Sequence, residues 1–378
     1  MKKSILLAAA AAIILASCGK NEVYVPVQED IPVGFSNYAP RAISKADGSF
    51  VNSGALPTGA QIGVYGYSTA DANLASSFTT KPEFMTDALV NYGSNTSATA
   101  TSTTPVRYWP KTITNLLSFY AYYPQESARI SGKPTAATTG MGTLTFAQAD
   151  TVVTMQDFMI SNVANDQYYF KEGDTNPESV NSNGVKAVNG VVPLVFNHML
   201  TKVNFKFCTV SDYSSDNVTI KVKSVKIAKE LYSNVVITPS YTAGAAGTLG
   251  TTAFAYSSNT AYTKDLWIPF SADQTLDTTP TLNNGTASTQ TDFLFVPQTL
   301  SDDVKVTVTY IIDQDGTETE NTGIVQLNLV KDSSDAYITE WGINDFVTYT
   351  FRIGLKEIKF TGTVNNWDDV INGSYVIE

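Results

Sequence analysis

Cysteine and histidine are nearly absent: the 378-residue chain holds two cysteines, Cys18 and Cys208, and one histidine, His198. Two cysteines make at most one bridge, so burial of apolar surface has to hold the fold. A single histidine rules out any two-histidine metal site and leaves a Ser-His-carboxylate triad only His198 to use. Basic residues are also scarce, with 24 Lys and Arg against 35 Asp and Glu, a net charge of −11 and a pI near 4.6. No basic stripe is left for nucleic acid. No Gly-rich phosphate loop follows a strand. The DQDG at Asp313–Gly316 opens like a calcium loop, but its twelfth position is Ile324 where a glutamate is needed. Asp315-Gly316 instead reads as a hairpin turn. A glycosidase would need two carboxylates converging at about 5 to 5.5 Å, and the acids here are too scattered to suggest such a pair. The expectation is therefore no catalytic residue, no metal and no cofactor.

Long apolar runs are missing too, except at the start. In MKKSILLAAAAAIILASCGK, Lys2 and Lys3 precede a Ser4–Leu15 stretch too short to remain as a membrane span. Leu15-Ala16-Ser17-Cys18 then resembles the lipobox of bacterial lipoproteins, which marks Cys18 for acylation as the first mature residue. An ordinary secretory leader with a chance cysteine is the alternative. Loss of residues 1–17 would leave 361 residues and move the net charge from −11 to −13. With Cys18 acylated, Cys208 in KVNFKFCTV has no partner and reads as a small apolar strand residue. Gly19, standing where an aspartate would favour inner-membrane retention, points to the outer membrane and the cell surface.

What the chain has in abundance is Tyr, Phe, Thr, Ser and Val in alternating runs. VKVTVTYII places Val304, Val306, Val308, Tyr310 and Ile312 on one face, and Val325, Leu327 and Leu329 continue the pattern beyond the turn. FVTYTFRIGL does the same through Val347, Tyr349, Phe351, Ile353 and Leu355. NVTIKVKSVKI changes phase between Val222 and Val225, which predicts a bulge. In LLSFYAYYP, Leu117, Phe119, Ala121 and Tyr123 are in phase. VPLVFNHMLTKVNFKF must shift register near Met199–Lys202, and it sets His198 on an apolar face, as a packed residue. The predicted fold class is all-β, with two tandem antiparallel β-sandwiches spanning 42–192 and 193–378, after a signal peptide (1–17) and a lipidated segment (18–41).

Together, the Cys18 lipobox, IPVGFSNYAPRAISKA, VRYWP…LSFYAYYP, MQDFMIS, VPLVFNHMLTKVNFKF, FLFVPQTL and VTYTFRIGLKEIKFTGTVNNWDD resemble the fimbrillin family, the lipoprotein-derived (type V) pilins and Mfa-like subunits of Bacteroidetes. The resemblance implies transthyretin-like sandwiches, a lipid (palmitate) anchor in the outer membrane, and assembly with other fimbrial subunits by donor-strand exchange. It also implies an Arg- or Lys-directed maturation protease, for which Arg41 matches the family's arginine and Lys45 is the fallback. Residues 31–36 suit the removable strand, because Ile31, Val33 and Phe35 share one face. A permanent first strand, with Arg41 a solvated loop charge, is the alternative. Only eleven residues follow Trp367, so a free C-terminal donor strand is open to question, and with it a place in the shaft, at the tip or as an accessory subunit.

A second function class is a surface lipoprotein that binds host or glycan ligands without polymerising. Trp267 and Trp109, with Tyr65, Tyr67 and Tyr92, are the aromatics that could face a sugar ring, and packing in the core is their competing role.

Overall fold

The computed structural model describes residues 30–38, 56, 59–70, 80–91, 101–268, 270, 272–280, 292–355 and 358–367. Among them every regular element is a strand, apart from four short 3-10 turns. The alternating runs become strands because alternate side chains point to opposite faces, so one face of each run can be buried as a unit.

One large sheet is ordered Gly34–Tyr38, Val191–His198, Met159–Ser161, Asn115–Tyr123, Gln61–Ala70, Met85–Asn91, Thr101–Thr104, with Ala164–Phe170 and Val185–Val188 attached beside it. Its central strand Asn115–Tyr123 is buried on both faces. Leu117 and Phe119 pack on one side, and Tyr120 and Tyr122 on the other. The tyrosines stack, with Tyr65 and Tyr120 at 5.0 Å between centroids. Three of the hydroxyls find acceptors: Tyr67 donates to Gly140 O, Tyr120 to Met141 O and Tyr122 to Asp87 Oδ1.

The later chain supplies two sheets with facing apolar residues. One is Asp292–Phe295, Thr201–Thr209, Asp345–Ile353, Ile358–Asn366. The other is Leu266–Ile268, Val218–Ile227, Lys305–Gln314, Thr317–Gln326. Val203, Phe205, Val347, Tyr349 and Phe351 from the first join Ile220, Val225, Val306 and Val308 from the second in one core. The hairpin turn at Asp315-Gly316 has positive φ at both residues (52° and 81°), the twist a two-residue turn needs. The expected bulge is present between Val222 and Ser224. Cys208 is fully buried, and that burial pushes its thiol pKa up.

Three details differ from the sequence reading. Leu329 and Leu355 are exposed (52% and 43%), because a 3-10 turn at Leu327–Leu329 and the end of the strand at Ile353 break the alternation. Three pairings are parallel: Gly34–Tyr38 with Val191–His198, Thr201–Thr209 with Asp345–Ile353, and Val185–Val188 with Ala164–Phe170. Finally, the expected boundary at 192/193 falls inside Val191–His198, which belongs to the large sheet. The register shift near Met199 is where the chain leaves that sheet for the next. A fourth sheet joins the two halves, since Leu144–Ala147 pairs with Tyr232–Thr242, and residues 32–378 form one unit.

Candidate strand-exchange site

Pro32 begins the site. It lacks an N–H, and it makes an isolated antiparallel bridge to Tyr108. The next residue, Val33, donates its N–H to Arg107 O at 2.8 Å. From Gly34 onward the chain turns to the other side and runs parallel to Val191–His198, with Gly34 opposite Val191, Phe35 opposite Val192 and Tyr38 opposite Val195. Gly190 O ties the two together, accepting the Gly34 N–H at 2.9 Å and the Trp109 indole N–H at 3.0 Å.

Alternation then sends Val33 and Phe35 inward, and both are buried. Phe35 meets the edge of Phe119 at 5.2 Å and 81°. Phe84 and Trp109 approach the same ring in T-shaped geometry, at 6.1 and 6.3 Å. Burying a valine and a phenylalanine contributes roughly 3 to 6 kcal/mol, at about 1.5 to 3 per side chain. Ile31 precedes the strand and is only half-buried, so the expected set of three core-facing residues is reduced to two.

Gly34–Tyr38 is the end strand of its sheet. Among the described residues it has five ladder positions on one side, and the only pairing on the other is the bridge of Pro32 to Tyr108, at its entrance. Were it to go, Val192, Leu194, Phe119 and Trp109 would face solvent along an unpaired edge.

The receiving strand is fixed at its far end by groups distant in sequence. His198 is fully buried, its Nδ1 hydrogen-bonds Asp157 Oδ1 at 3.2 Å with Oδ2 3.0 Å away, and its ring stacks on Trp367 at 3.7 Å and 9°. Asp157 Oδ1 also accepts the Phe158 N–H. The ring is thus a packed, hydrogen-bonded element, closed to any substrate. Sequence reasoning placed His198 correctly but missed Asp157, which lies 41 residues away; a buried-phase acid in TMQDFMISN was the available signal.

Cys18, Arg41 and Lys45 lie outside the described residues. The two candidate ligand aromatics part company. Trp109 is 6% exposed, tied to Gly190 and packed on Phe119, so it offers no face to a sugar. Tyr65 and Tyr67 are buried as well, and Tyr92 lies outside the described residues. Trp267 is 57% exposed, on a strand where it sits across from Lys226, whose Nζ is 3.2 Å from Asp265. No group of three metal-ligating side chains occurs among the described residues.

Comparison with known proteins bears on the family and the fold. The family described as fimbrillin-like matches residues 49–367. A crystal structure of a fimbrial protein from Bacteroides vulgatus is 17% identical, with 88% of this chain and 99% of that one covered and a TM-score of 0.51. A fimbrilin from Porphyromonas gingivalis is 10% identical over 90% of this chain and 98% of its own, with a TM-score of 0.41. No curated protein matches the chain.

Proposed function

Because the chain belongs to the fimbrillin-like family, we propose that it is a structural and adhesive subunit of a cell-surface fimbria, joined to its neighbours by exchange of the strand Gly34–Tyr38. The observation that carries this reading is the attachment of residues 33–38: the buried side chains of Val33 and Phe35, and one parallel ladder at the end of a sheet. Export as an outer-membrane lipoprotein acylated at Cys18 completes the proposal, since a lipid would hold the subunit at the surface until maturation. A cut after Arg41, three residues past the strand, frees lipid and strand together, and Lys45 is the fallback. A neighbour's strand then refills the slot beside Val191–His198, with main-chain hydrogen bonds giving affinity and alternate side chains giving register.

The test is digestion of the purified chain with an Arg-specific protease. The expected product begins at Ala42 and forms ladders on SDS gels, while the Arg41→Ala chain cut at neither site forms no ladder. Cleaved protein that keeps residues 30–38 bound and never assembles would overturn strand exchange.

A second reading rests on Trp267. It heads an exposed row across its sheet, followed by Lys226, Thr307 and Ile324, and a sugar ring could stack there with Lys226 and Asp265 as polar contacts. Glycan-array binding that disappears in Trp267→Ala, with residues 30–41 still attached, is the outcome this reading requires.

A further inference from the structure

The hairpin of Tyr232–Thr242 and Thr251–Ala261 has a peculiar sequence. From Leu231 to Thr263 there is no Asp, Glu, Lys, Arg or His, in a chain with 35 acidic and 24 basic residues. Thr251–Ala261 is the end strand of its sheet, and among the described residues no strand pairs with its outer edge. It is eleven residues long, contains neither proline nor glycine, and has no fully buried residue.

Proteins guard such edges by keeping them short, charging them or bulging them. The other ends of sheets here are short or charged, apart from Ile358–Asn366, whose Gly362 N–H is taken by Lys331 O. Thr101–Thr104, Ile130–Ser131 and Leu266–Ile268 have four, two and three residues. The long edge Thr317–Gln326 carries Glu318 and Glu320, which pair with Lys221 and Lys223. Thr251–Ser258 carries none of these guards, and the one irregularity of the strand lies at its far end, where Thr260 and Ser258 pair with the adjacent residues Asn234 and Val235.

It is also held ready. The far end of the hairpin is fastened to the first half of the chain by Gly247 N–H to Asn183 O, Asn165 Nδ2 to Thr248 O and Gly250 N–H to Asn165 Oδ1. On the strand itself, Thr252 Oγ1 accepts the Val163 N–H, and Tyr256 bonds Glu340. The inner face is thus fixed and little ordering remains to be done on binding. The outer face shows Thr251, Ala253, Ala255, Ser257 and Asn259, all exposed and small enough for another strand to lie alongside.

We propose that Thr251–Ala261 is an interface between two copies of this chain, paired as antiparallel strands about a two-fold axis, so that two four-stranded sheets become one. Charge selects a second copy as the occupant. At a net charge of −11, identical surfaces meet at least cost where neither brings charge to the contact. Pairing about Ala255 sets Ala253 opposite Ser257, within the regular part of the strand. The inference is independent of strand exchange, since Gly34–Tyr38 belongs to another sheet.

Analytical ultracentrifugation of the exported chain with Arg41 and Lys45 both changed to alanine, so that no strand is released, tests it. The parent should dimerise with rising concentration. Ala255→Glu and Ala255→Lys should each weaken dimerisation about tenfold or more through like charges set side by side, with unchanged circular dichroism. An equal mixture of the two variants should recover the dimer as a heterodimer. Thr322→Glu on the guarded edge should leave it intact. A parent that stays monomeric to about 100 μM, a dimer indifferent to both Ala255 changes, or a mixture that fails to recover would overturn the proposal. So would capture of a different subunit at this edge with no self-pairing.

Discussion

Replacing Phe35 by alanine tests the attachment of the first strand most directly. The side chain is fully buried and edge-on to Phe119. Truncating a buried phenylalanine costs about 3 to 5 kcal/mol from lost transfer energy and the cavity left behind. At about 1.4 kcal/mol per decade, local opening of the strand should become roughly a hundred to several thousand times more frequent, up to the limit set by global unfolding. Amide hydrogen exchange reads this at Val33 and Gly34, whose N–H groups donate to Arg107 O and Gly190 O. Protection there should collapse in Phe35→Ala, while amides of the core strand Asp345–Ile353 lose far less. In the same variant, ladders should form sooner after Arg41 cleavage, because release of the old strand is easier. Unchanged protection at Val33 and Gly34 would refute the reasoning, since the strand would then be held by something other than its buried side chains.

Trp109→Phe keeps an aromatic against Phe119 but deletes the hydrogen bond to Gly190 O, and should lower the denaturation midpoint by an amount equivalent to about 1 kcal/mol. Asp157→Ala leaves His198 buried without its partner and should cost about 1 to 3 kcal/mol in chemical denaturation. Gly63→Ala would set a methyl 2.4 Å from both Asp87 Oδ1 and the Tyr122 ring, so a marked drop in Tm is expected, with loss of the Tyr122–Asp87 hydrogen bond. Burial raises the Asp345 pKa in the folded chain, so the folded state favours its protonated form, and that contribution is lost as pH rises through the folded value. Asp345→Asn should therefore have the higher Tm at neutral pH, and the advantage should vanish below about pH 3, where the wild-type carboxyl is protonated in both states.

Strands and their inward faces were legible because alternation is a local signal. Val304 to Tyr310 and Val347 to Ile353 are buried as their phases require. Where a strand stops is less legible: Leu329 and Leu355 keep the phase in sequence after the backbone has abandoned it. The parallel pairings could not be seen at all. Gly34 and Val191 are opposite one another across more than 150 residues, and no hairpin turn announces such a partner. The same blindness placed a domain boundary inside Val191–His198, because the register shift after it marks a change of sheet. At the site, Val33 and Phe35 were visible from their spacing. Trp109 and Trp267 look alike as letters; contacts with Phe119 and Gly190, far away in sequence, bring Trp109 under cover.

Parallel pairing at Gly34–Tyr38 gives each joint an arrow. An incoming strand that adopts this register must enter with its leading end beside Gly190 and finish toward His198 and Trp367. If the proposed exchange copies this joint from subunit to subunit, the constraint would make a filament whose two tips are chemically unlike, one an empty slot and the other a spent donor, and would leave growth a single direction.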